Sequence, residues 1–237
     1  MKRRAGTGAV LVASSAVGAL VLVGAVSLQG GVQATGSITG IVTMDNPPAS
    51  STLDVDADKA VCGETQPNEE IIADAAGHVA NAVVRLTGVP WPADAPSPAI
   101  SNVGCLFVPH VQVAPTRSQL EITSEDAVLH STHAYDDRDR TDFNIAMPFA
   151  GMNVARPLRR AGVVRIECDS HDWMRGWVVV SNDLGVVSGA DGTFIIKGVP
   201  PGTHELSIWH ERLGGQLQSV TVTAGQTTDV AFALEMP

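Results

Sequence analysis

Short runs of alternating apolar and polar residues recur along the chain, and turn-forming residues separate them. The runs are residues 36–43, 80–86, 108–113, 119–123, 128–134, 162–167, 176–180, 193–196, 204–209, 220–223 and 228–234. A period of two is the pattern of a strand with one buried face, and no segment stands out as an amphipathic helix. The chain is also rich in turn formers, with 23 Gly and 14 Pro, and has only 4% aromatic residues. The sequence therefore predicts an all-β protein of the sandwich type.

The first 34 residues have the organisation of a secretory signal peptide. Three basic residues at positions 2–4 precede an apolar stretch at about 9–28, and Val32-Gln33-Ala34 places small residues at −3 and −1 before Thr35. The apolar stretch is long for a signal peptide, so an uncleaved membrane anchor is the alternative. We expect an exported protein, periplasmic or extracellular, that touches a membrane only through this segment.

The charge balance limits the kinds of partner. The chain has 15 Lys and Arg against 25 Asp and Glu, a formal charge of −10. Without residues 1–34, which hold three basic and no acidic residues, 12 basic and 25 acidic residues remain, a charge of −13. A nucleic acid is disfavoured as a partner, because phosphate binding needs the opposite sign. A redox partner protein with a basic docking surface would suit this charge. The simpler interpretation, which we favour, is that the acidic surface keeps an exported protein soluble.

Three cysteines are present, Cys62, Cys105 and Cys168. Export permits disulfides, and an odd number leaves one thiol unpaired. Only Cys168 has other metal-ligating residues around it, and neither of the other two has a C-x-x-C partner. We therefore predict a Cys62–Cys105 disulfide and a free Cys168.

The most informative segment is residues 167–176, Glu-Cys-Asp-Ser-His-Asp-Trp-Met-Arg-Gly. It offers a thiolate, an imidazole and a thioether within seven residues, and a trigonal copper site with a weak axial Met needs one further imidazole. His130, 38 residues before Cys168, can supply it from a strand end beside the loop. His133 is the other candidate, and strand alternation places it on the opposite face from His130.

Residues 105–180 resemble a cupredoxin, and most closely the amicyanin and plastocyanin branch. The C-x-x-H-x-x-M spacing is that of amicyanin, and residues 175–180, Arg-Gly-Trp-Val-Val-Val, resemble its closing strand. Residues 130–133, His-Ser-Thr-His, resemble the family's His-Asn-Val-His element, in which the first His is the ligand. The resemblance implies one type 1 copper ion held by four residues: His130, Cys168, His171 and Met174.

The sequence departs from the family in two respects. Ser131 stands where the family usually has Asn, whose side chain helps to tie the two ligand loops together. Asp169 and Asp172 add negative charge to the ligand loop, which should favour copper(II) and lower the reduction potential.

The flanking segments resemble a carboxypeptidase regulatory-like, transthyretin-like β-sandwich. The resemblance lies in residues 36–43 and 80–86 and above all in residues 191–234, with Asp-Gly-Thr-Phe at 191–194 and Gly-Val-Pro-Pro-Gly-Thr-His at 198–204. It implies a binding or stabilising module without peptidase activity. The domain order expected from both resemblances is a signal peptide or anchor at 1–34, the first part of the regulatory-like sandwich at 35–100, a cupredoxin domain at 101–182, and the second part of the regulatory-like sandwich at 183–237. The cupredoxin is then inserted in the other sandwich or packed on it.

These features predict an exported one-electron carrier with a redox partner protein. A copper-binding or copper-handling module is the first alternative, and a cell-surface interaction module is the second. No residues form a recognisable catalytic triad or phosphate loop, so we expect no enzymatic activity. His110 is expected to be an ordinary strand residue, and Met147 and Met152 to be core residues.

Overall fold

The structure is a computed structural model that describes Lys2 and residues 34–237. The predicted signal peptide or anchor at residues 1–34 therefore lies, apart from Lys2 and Ala34, outside the described residues. The described part contains eighteen strands and one short helix: β1 (Gly36–Met44), β2 (Thr52–Asp54), α1 (Lys59–Cys62), β3 (Thr65–Pro67), β4 (Val83–Pro90), β5 (Ala99–Val103), β6 (Leu106–Val108), β7 (Val111–Pro115), β8 (Gln119–Ser124), β9 (His130–Tyr135), β10 (Thr141–Met147), β11 (Asn153–Pro157), β12 (Gly162–Glu167), β13 (Arg175–Ser181), β14 (Asp183–Val187), β15 (Thr193–Val199), β16 (Gly202–His210), β17 (Gly214–Val222) and β18 (Thr227–Leu234). The predicted all-β class is confirmed. Within the described residues, no helix has the length and apolar character needed to cross a membrane.

The strands nearest the two ends of the described chain form one sandwich, here called the terminal sandwich. Its sheets have the orders β15-β1-β18 and β14-β4-β16-β17. β1 runs antiparallel to β15 and parallel to β18, so the strand that starts the described fold is paired between two of the last four strands. Apolar residues of both sheets fill the core between them, among them Ile38, Leu86, Phe194, Leu206 and Phe232.

The strands between residues 99 and 181 form a second sandwich, here called the central sandwich. Its sheets have the orders β10-β9-β12-β13-β7 and β11-β8-β5-β6. Its core contains Ile100, Phe107, Leu120, Ile122 and Ile166, all at most 1% exposed. The predicted domain boundaries at 100/101 and 182/183 stay a prediction, although the central sandwich uses only strands that lie between residues 99 and 181.

The two sandwiches pack against each other within one compact unit. Val83 of the terminal sandwich is buried with Val111 and Val179 of the central sandwich. Beside them the rings of Trp177 and Trp209 meet edge to face with centroids 5.5 Å apart. The strand that follows the ligand loop, β13, therefore has one face on the terminal sandwich.

Some elements differ from the sequence prediction. The predicted strand at 108–113 is divided between β6 and β7. Strands β2, β3, β5, β10, β11 and β14 and helix α1 were not predicted. Five of these strands, β2, β3, β10, β11 and β14, lie at sheet edges, where alternation is weak because fewer neighbours bury their side chains.

The Asp191-Gly192 turn forms, but it does not make a hairpin of paired strands. Gly192 has φ +72° and its N–H donates to the carbonyl of Gly189 at 2.9 Å. The strands on either side, β14 and β15, belong to different sheets. The carbonyl of Gly192 accepts the N–H of Val42 at 2.9 Å, which directs β15 towards β1.

Candidate metal centre

Strand ends bring two distant ligand segments together. His130 is the first residue of β9, and Cys168 directly follows the last residue of β12. β9 and β12 are paired, with Glu167 opposite His133. The loop from Cys168 to Met174 then returns the chain into β13, the other neighbour of β12. The 38-residue separation is thus closed by sheet pairing, as the sequence led us to expect.

Three donor atoms converge at this end of the sheet. The Nδ1 atoms of His130 and His171 are 3.0 Å apart, and Cys168 Sγ lies 3.9 Å from the first and 3.5 Å from the second. Three donors bound to one first-row metal ion, at about 2.0 Å for nitrogen and about 2.3 Å for sulfur, lie roughly 3.3–3.8 Å from one another. The observed spacing therefore suits a single ion between the three residues. Both histidines are 0% exposed and Cys168 is 5% exposed.

Met174 closes the ligand loop through its backbone. Its N–H donates to the carbonyl of His171 at 3.0 Å, and its carbonyl accepts the N–H of Cys168 at 3.4 Å. Its side chain is 1% exposed and lies in the same apolar cluster as Cys168. Met147 is a second buried thioether near the site, because it pairs with His130 across β9 and β10.

The imidazoles of His130 and His171 each have a carboxylate at the nitrogen that faces away from the donor cluster. His130 Nε2–H donates to Asp126 Oδ2 at 3.0 Å, and His171 Nε2–H donates to Asp58 Oδ2 at 3.0 Å. A carboxylate can only accept, so the proton sits on Nε2 and the lone pair of Nδ1 faces the other donors. Two facing lone pairs beside a sulfur atom form a donor set that can bind a cation.

The surroundings of His130 favour its neutral form. Burial, followed by the neighbouring His171, lowers the pKa of His130 below its ordinary value, although Asp126 acts in the opposite direction. A neutral imidazole is the form that binds a metal. Asp126 is itself held by the N–H groups of Gly104 and Cys105, at 2.7 and 2.8 Å.

Ser131 joins the two ligand segments in this chain. Its Oγ accepts the N–H of Asp169 at 2.7 Å, and its own N–H donates to Cys168 Sγ at 3.3 Å. The second bond places a positive dipole on the sulfur, which stabilises the thiolate. Ser131 thus links the segment that begins at His130 to the segment that begins at Cys168, although it stands where the cupredoxin pattern has an asparagine.

His133 points away from the donor cluster, as alternation predicts. Its Nδ1 lies 2.8 Å from Asp169 Oδ1, and its Nε2 lies 2.8 Å from Thr141 Oγ1. Hydrogen bonds from His133, then from Asn144, lower the pKa of Asp169. A negative charge therefore persists on the residue that follows Cys168.

The disulfide forms as predicted. Cys62 and Cys105 are bonded, and Cys168 is the free, buried cysteine. Among the described residues, a second group with metal-ligand spacing consists of Cys105, Asp126 and His130. Its sulfur belongs to the disulfide and it shares His130 with the first group, so the first group is the candidate metal centre.

The carboxylates are the site residues that the sequence analysis missed. Asp126 is four residues before His130, and that spacing was a usable signal. Asp58 is 113 residues from His171 in a polar stretch without periodicity, and the sequence held no signal for it.

The expectation that His110 is an ordinary strand residue is wrong. It lies between β6 and β7, is 8% exposed, and hydrogen-bonds Glu211 of the terminal sandwich and the carbonyl of Arg175. Burial acts to lower its pKa, but the hydrogen bond and charge of Glu211, helped by Glu69, outweigh burial and raise the pKa of His110. A His–Glu hydrogen bond is thus buried where the sandwiches meet.

Sequence comparison identifies one family. Residues 177–235 match the carboxypeptidase regulatory-like domain, which confirms that resemblance for the C-terminal part of the terminal sandwich. The match begins inside β13, and it covers about a quarter of the chain. No curated protein sequence matches the chain.

Several solved structures are similar to part of this chain, and some of them are cupredoxins. A purple cupredoxin from Nitrosopumilus maritimus is 23% identical over 36% of this chain and 100% of its own, with a TM-score of 0.32. Amicyanin from Paracoccus versutus is 17% identical over 41% and 97%, with a TM-score of 0.33. The copper-containing nitrite reductase of Thermus scotoductus SA-01 is 20% identical over 40% of this chain and 26% of its own, with a TM-score of 0.32. Similarities at these scores carry no weight for function, and the assignment of the metal centre depends on the geometry of its donor atoms.

Proposed function

We propose that this chain is an exported type 1 copper protein that carries one electron. The observation that carries the proposal is the convergence of two imidazole Nδ1 atoms and one cysteine Sγ within 3.0–3.9 Å of each other in a buried position. Copper bound there would supply a couple between copper(I) and copper(II). Met174 is proposed as the weak axial ligand, on its loop position and its burial.

The protein's part in this function is to hold the donors still. The thiolate suits copper(I) and the imidazoles suit copper(II), so a fixed mixed set serves both states. Ser131 ties Cys168 to the segment that begins with His130, and the backbone bonds of Met174 close the loop. Little movement of the donors is then needed when the electron arrives or leaves.

Burial favours a carrier over a copper-handling module. A module that passes its metal on needs ligands that a recipient can reach, and both histidines are 0% exposed. The ligand loop also connects β12 and β13, which are paired with each other, and β12 is paired with β9 on its other side. Electron transfer needs only the approach of a partner, whereas metal transfer would need this packing to open.

A partner can approach the cluster from the side of Asp169. A surface groove there is lined by Leu129, His130, Ser131, Asn144, Ala146, Asp169 and Ser170. Leu129 is 49% exposed, and the side chain of Asp169 is 50% exposed. An apolar side chain next to a carboxylate in an acidic protein suits a redox partner with a basic docking surface.

The experiment is copper(II) loading of the mature protein, followed by voltammetry and by mixing with a strong copper chelator. The proposal predicts one copper per chain, a reversible one-electron wave, and slow loss of copper to the chelator. Loss within the mixing time would favour copper handling instead. Failure to bind copper would leave the interaction-module alternative.

A further inference from the structure

A separate chain segment covers His171. Residues 55–64, here called the strap, begin at the buried Val55, whose N–H donates to the carbonyl of Glu64 at 3.0 Å. The strap contains α1 and is bonded to the central sandwich through Cys62 and Cys105. Its Asp58 lies 3.0 Å from His171 Nε2, and the ring of His171 is 0% exposed.

Asp58 has an unusual conformation for the N-cap residue of a helix. Asp58 is the N-cap of α1, and its carbonyl accepts the N–H groups of Val61 and Cys62 at 2.9 Å each. An Asp at this position usually caps its helix with its side chain. Here the side chain makes no capping bond, and the residue has a left-handed backbone with φ 50°. The carboxylate is instead used on a histidine 113 residues away.

The contact has a defined chemical consequence for His171. The carboxylate holds the ring proton on Nε2, so Nδ1 presents its lone pair next to Cys168 Sγ. A hydrogen-bonded carboxylate also makes the imidazole a stronger electron donor, and loss of such a partner commonly costs a metal site about 10- to 100-fold in affinity. Asp126 does the same for His130 from within the central sandwich.

We propose that Asp58 is a positioning residue for the copper ligand His171, delivered to it by the disulfide-tethered strap. The proposal deepens the proposed function and rests on it for the identity of the metal. The strap also closes the His171 side of the centre, which leaves the Asp169 side for a redox partner.

The first test uses the metal-free protein. Asp58→Gly removes the acceptor and is compatible with a left-handed backbone. Asp58→Asn keeps an acceptor but removes the charge. Asp56→Gly is the matched control, with the same charge loss at an exposed strap residue that is not a hydrogen-bond partner of His130 or His171. Two-bond ¹H–¹⁵N spectra at pH ~8, above the ordinary histidine pKa of about 6.5, report which ring nitrogen carries the proton. We expect Asp58→Gly alone to shift His171 towards its Nδ1–H form, with His130 unchanged in every variant.

The second test measures copper(II) affinity by competition with a chelator. We expect a loss of about 10-fold or more for Asp58→Gly, a smaller loss for Asp58→Asn, and no change for Asp56→Gly. The same ring proton in wild type and Asp58→Gly, or equal affinity for Asp58→Gly and the control, would overturn the proposal. If the ring protons respond as expected but the wild-type protein does not bind copper, the proposed function fails while the role of Asp58 towards His171 stands.

Discussion

Removal of the Cys62–Cys105 disulfide should lower the free energy of unfolding by about 4 kcal/mol. The two cysteines are separated by 43 residues and are 3% and 0% exposed. For a loop of that length the chain-entropy estimate is about 13 cal/mol/K, or about 4 kcal/mol at 25 °C. The whole free energy of unfolding of a native protein is about 5–15 kcal/mol. A Cys62→Ala/Cys105→Ala variant should therefore still fold but with much lower stability. Urea unfolding of the metal-free protein measures the difference.

Reduced wild-type protein is the matched comparison, because it loses the cross-link without loss of the sulfur atoms. The free energy of unfolding should fall by similar amounts in the double variant and in the reduced protein. The variant should lose up to ~1 kcal/mol more, since removal of the buried sulfur atoms leaves space unfilled. Gln66 Nε2 donates to the carbonyls of Cys62 and Gly104, so part of the strap contact should survive in both. A loss below about 1 kcal/mol would refute the loop-entropy reasoning. Mass spectrometry that found Cys168 in the disulfide would refute the pairing.

Three further variants test the proposed axial ligand, the link between the ligand segments and the buried contact between His110 and Glu211. Met174→Leu should keep copper bound and raise the reduction potential, since a hydrocarbon donates no electron density to copper(II). An unchanged potential in voltammetry would mean that the thioether ligand has to be sought at Met147 or Met152. Ser131→Ala should lower the free energy of unfolding by about 1 kcal/mol, because the N–H of Asp169 loses its acceptor, and equal urea midpoints would contradict this. The pKa of His110 is raised, so its pairing with Glu211 stabilises fully below pH about 6.5 and this stability is lost as the pH rises through the higher folded pKa. His110→Gln should remove that alkaline loss, and parallel stability curves between pH ~6 and ~9 would contradict it.

The sequence predicted the parts of the fold whose signal is local. Alternation identified β1, β8, β12 and β18 within a residue or two, because each buries one face against a core. The ligand loop was also predictable from a local signal. A tight loop needs its candidate ligands within a few residues, and Cys168, His171 and Met174 have that spacing. The edge strands β10 and β11 were not predicted, because they are largely exposed and their residues show no regular apolar pattern.

Contacts that join distant segments could not be predicted from the sequence. Asp58 reaches His171 only because the disulfide and the short helix α1 place the strap over the ligand loop. His110 and Glu211 become partners only because the two sandwiches pack together, and each is an ordinary polar residue in its own segment. The turn at Gly192 is a further example. The Asp-Gly signal correctly predicted a turn, but it did not reveal that the strands on either side belong to different sheets.

The visible spectrum of the copper(II)-loaded protein, compared with that of a Cys168→Ala variant, tests the proposed copper centre most directly. Cys168 is the free thiol of the cluster, at 3.5 and 3.9 Å from the two imidazole nitrogens. We predict an intense thiolate-to-copper charge-transfer band in the wild-type protein and its complete loss in the variant, with the far-ultraviolet circular dichroism of the β-sheets retained. An unchanged band in Cys168→Ala, or a wild-type protein that binds copper(II) without such a band, would contradict the assignment of Cys168 as the thiolate ligand.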